Sequence, residues 1–281
     1  MQLLPLGRMA GMPAGGQASS GYLVSSGGTT VMLDAGPGTA VGLSAALAGT
    51  RPDAVVVSHL HTDHLLDLLP IGKMVLNQRL HLDPTSGRTE LAEVPPVPLL
   101  VPSGATATLR EWAALFPVTS NPVLDRAFEL GFEVVEYQPG DTFAVGGLRL
   151  HWRLLEHVAP NCGTRLEAPD GTSLVYSGDT GVTPALADLA ADADLLLCES
   201  TLRSTDRSGH GHLTSTEAGQ AAQEAGVGRL TLTHFASPDP DQHEWHRARA
   251  AEVFDGPVGV AHVGEVVPIG ALAAATGPTP P

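Results

Sequence analysis

The chain has 281 residues and carries 30 Asp and Glu against 15 Lys and Arg, a formal net charge of −15. Lys73 is its single lysine and the arginines are scattered among acidic neighbours, so long nucleic acid is not an expected partner. Hydrophobic residues make up 43% and aromatics 4%, which supplies a full core of Ala, Val and Leu for one domain over 1–281. No signal segment opens the chain and no run reaches about 18 apolar residues, which predicts a cytoplasmic protein with no membrane partner. Cys162 and Cys198 are too few for a disulfide framework; Cys198 lies in an apolar run and reads as a small buried hydrophobe.

Taken in order, Met1 to Gly16 is rich in turn residues, and Gly21–Val24 with Thr29–Asp34 predicts a hairpin around Ser26-Gly27-Gly28. Val41–Leu47 predicts a helix, and the run Ala54–Val57 a buried strand. Directly after it comes His59-Leu60-His61-Thr62-Asp63-His64. Three imidazoles and a carboxylate on a strand-end loop can converge on a common space, and their chemistry suits divalent cations, so the cluster predicts a metal site. Leu65–Leu80 is apolar at helical spacing, whereas 81–98, with Pro84, Gly87, Pro95, Pro96 and Pro98, predicts a flexible exposed loop, either a lid or a tolerated insertion.

Ser103–Phe116 predicts a helix, and Phe132–Tyr137, Leu148–Leu154 and Gly171–Tyr176 predict strands. Pro184–Leu189 follows as a helix and Leu195–Cys198 as a buried strand. Thr214-Ser215-Thr216-Glu217 is a capping box opening a helix to Ala225, which Gly226 and Gly228 end before a strand over Arg229–Thr233. The last ten residues, 272–281, predict a disordered tail. Periodicity alone gives an α/β or α+β protein.

The H-x-H-x-D-H run resembles the signature of the metallo-β-lactamase-fold hydrolases. That resemblance implies a four-layer αββα sandwich and, further along, a third histidine, a bridging aspartate and a late histidine; His157, Asp179 and His234 stand in those places, the last two behind strand-like runs. It implies that His59, His61 and His157 hold one ion, that Asp63, His64 and His234 hold another, and that Asp179 bridges them. Two divalent ions, Zn²⁺ first and Mn²⁺ as the alternative, would lower the pKa of a bridging water and stabilise charge on an attacked phosphoryl or carbonyl oxygen. Asp34 stands where the family has an aspartate supporting the metal loop, although a strand-ending Asp also fits a turn.

His212, in Gly211-His212-Leu213-Thr214, and Glu199, at the end of its own apolar run, resemble the pair that assists at the scissile phosphate in the ribonuclease Z-like branch. Helix capping is the competing role for His212. The residues expected to carry the reaction are therefore Asp63, His212 and Glu199. Asp67 extends the cluster to H-x-H-x-D-H-x-x-D, a form that resembles short bacterial members of the family. The link from His157 to Asp179 leaves no room for the tRNA-gripping arm of ribonuclease Z. The expected activity is hydrolysis of small phosphodiesters, cyclic nucleotides foremost, with RNA 3′ processing second, an acyl hydrolase less favoured, and a metal-binding regulator as the non-enzyme alternative. A homodimer is what the resemblance implies.

Overall fold

The Ser26-Gly27-Gly28-Thr29 hairpin forms as the sequence requires: Gly27 and Gly28 take φ of 57° and 85°, the left-handed values that a two-residue hairpin turn needs at both central positions. A computed structural model of the chain describes residues 1–82, 84–85 and 89–270. Its first half runs β1 (Gln2–Gly7), β2 (Gly21–Ser26), β3 (Thr29–Leu33), α1 (Thr39–Leu47), β4 (Ala54–Val56), α2 (Thr62–Leu65), α3 (Leu68–Asn77), β5 (Leu80–Leu82), β6 (Thr89–Leu91), β7 (Val97–Pro102), α4 (Ala105–Ala114) and β8 (Phe132–Tyr137). The second half runs β9 (Thr142–Val145), β10 (Leu148–Leu154), β11 (Cys162–Glu167), β12 (Ser173–Tyr176), α5 (Pro184–Ala190), β13 (Leu195–Glu199), α6 (Ser215–Ala225), β14 (Leu230–Thr233), α7 (Pro240–Ala251) and β15 (Val258–Val260), and β16 (Val267–Pro268) returns to the first sheet.

Two seven-stranded sheets result, ordered β16-β1-β2-β3-β4-β7-β8 and β15-β14-β13-β12-β11-β10-β9. One core lies between them, with Tyr22, Val31, Leu33 and Tyr137 from one sheet meeting Leu150, Trp152, Leu174 and Leu197 from the other. A second core packs α1, α3 and α4 on the outer face of the first sheet, and a third packs α5, α6 and α7 on the outer face of the second. This is the αββα sandwich. Both cysteines are buried and unpaired. Among the described residues, no helix is long and apolar enough to cross a membrane.

Several segments depart from expectation. The N-terminal stretch read as turns contains β1, a strand with β2 on one side and β16 on the other. The segment 81–98 is not a simple loop: β5 and β6 pair as a short hairpin, and Val97 and Pro98 already belong to β7, a strand of the first sheet. Residues 83 and 86–88 of that segment, and the tail 272–281, lie outside the described residues. Pro98 and Pro102 fit a strand because β4 is short. It meets β7 only at Leu99 and Leu100, so neither proline faces a β4 partner that needs its missing N–H.

Both sheets contain a parallel run, β3-β4-β7-β8 and β12-β13-β14-β15. The carboxyl ends of such strands are where an open α/β sheet exposes loops and collects a site. β4 ends into His59–His64, β12 into Asp179, β13 into Glu199 and β14 into His234, and the β10–β11 connection carries His157.

Candidate metal centre

All seven sequence-predicted ligands converge. His59, His61, His157 and Asp179 form one group, and Asp63, His64, Asp179 and His234 another, each with its donor atoms within 4.8 Å of one another. In the second group His64 Nε2 lies 3.3 Å from His234 Nε2, 3.5 Å from Asp63 Oδ2 and 3.3 Å from Asp179 Oδ2, and His234 Nε2 lies 3.2 Å from Asp63 Oδ2. In the first, His157 Nε2 is 3.1 Å from His61 Nδ1, and His59 Nε2 is 3.6 Å from Asp179 Oδ2. A tetrahedral ion with bonds of about 2.0–2.1 Å has ligand atoms about 3.3 Å apart, close to these separations, while His157 Nε2 stands farther, at 4.0 Å, from Asp179 Oδ2. His59 Nε2 and Asp179 Oδ1 are buried without a hydrogen-bond partner, a costly state unless a cation takes the lone pairs. The residues present therefore fit two divalent ions sharing Asp179.

The ring orientations follow from what each opposite nitrogen touches. His64 Nδ1 donates to Asp34 Oδ2 at 2.7 Å, His157 Nδ1 to the Gly211 carbonyl at 2.9 Å, and His234 Nδ1 to Thr201 Oγ1 at 2.8 Å. Each bond fixes the tautomer that leaves Nε2 with its lone pair toward the centre. Asp34 is the hub: fully buried, it also accepts from Ser58 N, Ser58 Oγ and Tyr176 Oη at 2.7, 2.8 and 2.6 Å. It thus holds the metal loop as well as ending its strand. Asp34 and His234 both take φ of 57°, a left-handed conformation unusual for side-chain-bearing residues and found at positions over-determined by their surroundings. Asp63 Oδ2 accepts from the Gly11 amide at 2.7 Å, which brings the N-terminal loop to the site.

Charge follows the same plan. Burial lowers the pKa of His59, His61 and His157, keeping these rings neutral as ligands must be. Burial would raise Asp179, but the facing His234 and His64 outweigh it and hold the carboxyl well below its ordinary range. Burial likewise opposes a charge on His64, yet Asp179 and Asp34 raise its pKa well above the usual value, so a cation entering there displaces a proton.

His212 and Glu199 stand beside both groups. His212 Nδ1 lies 2.8 Å from Glu199 Oε1, and its ring centroid is 5.1 Å from that of His157 and 5.7 Å from that of His234. Burial lowers the pKa of His212, but the bond to Glu199 and that residue's charge raise it overall. Glu199 also accepts from Thr180 N at 2.8 Å and Thr201 Oγ1 at 2.6 Å. Its oxygens are thereby occupied by donors, which suits a proton-holding pair better than a third ion with His212 and His234. The capping box of α6 is made by Thr214 and Glu217, so His212 is not the cap. Asp67 does not join the centre: its Oδ2 accepts from Ala40 N at 2.7 Å, at the start of α1. Sequence reasoning missed Gly11, Ser58, Thr201 and Tyr176, none of which carries a local signal in the chain.

The β-lactamase superfamily domain model matches residues 29–235. The chain belongs to that superfamily. It is 36% identical over 256 residues to the Mycobacterium leprae protein ML1173, covering 89% of this chain and 82% of that one. It is 31% identical to ribonuclease Z of Kineococcus radiotolerans, covering 95% of each. The crystal structure of the metallo-β-lactamase-fold protein YhfI from Bacillus subtilis superposes with a TM-score of 0.78 at 25% identity, covering 95% of this chain and 98% of that one. This metallo-β-lactamase-fold chain thus stands among metal-dependent hydrolases, with His and Asp clusters able to bind metal ions.

Proposed function

We propose that the chain is a dinuclear phosphodiesterase that hydrolyses small phosphodiesters, cyclic nucleotides foremost, in the cytoplasm. The observation that carries this reading is the His212–Glu199 pair, held at 2.8 Å against both ligand groups. Hydrolysis of a phosphodiester must expel an alkoxide, and a protonated imidazole beside the reacting centre gives that oxygen its proton. Glu199 keeps the proton on His212 and fixes its ring through Nδ1, leaving Nε2–H to face the leaving oxygen. Two divalent cations, for which Zn²⁺ suits the nitrogen-rich donor set, would supply Lewis acidity to the phosphoryl group and would bring the pKa of a water toward neutrality. Asp63, Asp179 and the five histidines would hold them, while Asp34, Thr201 and the Gly211 carbonyl aim the rings. An acyl hydrolase has no need of the His212–Glu199 pair, and a non-catalytic regulator has no need of an open shared pair of sites.

The choice of small substrates rests on size and charge. The link from His157 to Asp179 is consumed by β11, a tight turn and β12, leaving nothing to protrude. The alignment with ribonuclease Z spans 317 positions, about fifty more than this chain contributes, so the relative carries inserted segments absent here. RNA 3′ processing is the second reading, favoured by that same 31% identity. Metal-loaded protein assayed against cyclic mononucleotides, dinucleotides, short RNA and precursor tRNA separates them: turnover of cyclic nucleotides or dinucleotides with poor tRNA processing supports the proposal, and site-specific tRNA cleavage alone replaces it.

A further inference from the structure

His210 has no part in the coordination or proton network above, yet the fold holds it over the site. Its exposed ring lies with its centroid 6.0 Å from that of His61 and 5.1 Å from that of His212, at interplanar angles of 20° and 27°, and 5.3 Å from that of His157. The loop beneath it is built. Asp206 accepts from Ser208 N, Ser208 Oγ and Gly211 N at 2.7, 2.6 and 2.8 Å, closing the turn. The His210 amide donates to Ser208 Oγ at 3.2 Å, and its carbonyl accepts from Val158 N at 2.9 Å. Gly211, at φ 90°, lies so close to the strand connection that a Cβ there would stand 2.5 Å from the Glu156 carbonyl oxygen, and only glycine lets the loop seat. The backbone of His210 is thus tied on both sides, while its ring nitrogens make no hydrogen bond among the described residues.

His210 belongs to neither ligand group, nor to the Glu199, His212 and His234 cluster. What remains for a positioned, unbonded imidazole at the mouth of a reaction centre is contact with the substrate. His212 spans the centre, touching His157 on one side and His234 on the other, whereas His210 touches only His61 and His157 of the first half and His212 itself. A phosphoryl group lying across both halves, with its leaving oxygen at His212, carries the body of the leaving group past His210. A neutral imidazole offers one donor and one acceptor, the complement of a hydroxyl group.

We infer that His210 is a specificity-determining residue that hydrogen-bonds a sugar hydroxyl of the leaving group, selecting nucleoside over plain aryl or alkyl phosphodiesters. This rests on the phosphodiesterase reading and deepens it. The test compares metal-loaded wild type with His210→Ala on a cyclic nucleotide and on bis(4-nitrophenyl) phosphate, whose leaving group has no hydroxyl. One neutral hydrogen bond of about 0.5–1.5 kcal/mol predicts a KM for the cyclic nucleotide raised roughly 2- to 12-fold, with kcat within twofold and the aryl diester unaffected. Calorimetric binding of a nucleoside monophosphate should weaken by the same factor while methyl phosphate binds unchanged, and His210→Asn should recover part of the loss. Equal effects on both diesters, or unchanged nucleotide binding, overturn the inference and leave the phosphodiesterase reading intact. If neither diester is turned over by wild type, that reading fails, and the binding comparison still decides the role of His210.

Discussion

Replacing Asp34 by Asn keeps shape and volume and removes one charge from the hub of the metal loop. Asp34 Oδ2 receives Ser58 Oγ, His64 Nδ1 and Tyr176 Oη, and Oδ1 receives the Ser58 amide. The better amide orientation places its oxygen at the Oδ2 position and turns its NH₂ toward the Ser58 N–H, donor against donor. An unsatisfied buried N–H costs about 1–3 kcal/mol, and three bonds that lose a charged acceptor weaken by about 1 kcal/mol each, for a total of about 5 kcal/mol. At roughly 2 °C per kcal/mol for a chain of this size, metal-free protein should melt about 10 °C lower. Tyr176→Phe removes only one bond to a charged acceptor, about 1.5–3 kcal/mol, and should lose about 3–6 °C. Thermal unfolding by circular dichroism, with chelator present so that metal linkage does not contribute, reads both. An Asp34→Asn shift below 2 °C, or one equal to that of Tyr176→Phe, refutes the account of Asp34 as a four-donor hub.

Three further outcomes follow from the site. His212→Ala should leave metal content and melting temperature nearly unchanged and reduce kcat by about 10²- to 10⁴-fold on alkyl leaving groups, with a smaller loss on nitrophenyl esters, because a stable phenolate needs little protonation; equal losses on both would argue for positioning alone. His212 acts as an acid, and its pKa is raised by Glu199 despite burial, so the alkaline limb of the pH–rate profile should lie at that raised value, with activity falling as pH rises through it. In Glu199→Gln the alkaline limb should move to lower pH, and a limb that stays in place assigns it to another group. Turnover of small diesters should vary little with salt, whereas any binding of precursor tRNA should be weak and fall with salt as phosphate contacts are screened; tight, site-specific tRNA processing at physiological ionic strength would reverse that expectation.

How far the site could be read from sequence depended on whether its parts lie close together in the chain. His59, His61, Asp63 and His64 sit in one turn after a strand, and their chemistry is visible without any fold. His157, Asp179 and His234 are single residues, legible only through their order behind strand-like runs and the family resemblance. The groups that aim them were not legible, since Gly11 reaches Asp63, Tyr176 reaches Asp34 and Thr201 reaches His234 over sequence separations of 52, 142 and 33 residues, which leave no periodic trace. In the fold, β7 was hidden by prolines that only a short neighbouring strand tolerates. Helix α7 was hidden because it buries His243, His246 and Ala250 rather than an aliphatic stripe; Asp239 as its cap and Pro240 in its first turn were the available signals.

The most direct test of the central claim is elemental analysis of chelator-stripped protein reloaded with Zn²⁺, read alongside the same measurement on Asp179→Ala. Seven ligands with one shared carboxylate predict two equivalents per chain in wild type, and at most one, with phosphodiester turnover abolished, once the shared carboxylate is gone. A wild-type protein that binds a single equivalent and is fully active, or an Asp179→Ala variant that keeps two ions and its turnover, would contradict the account.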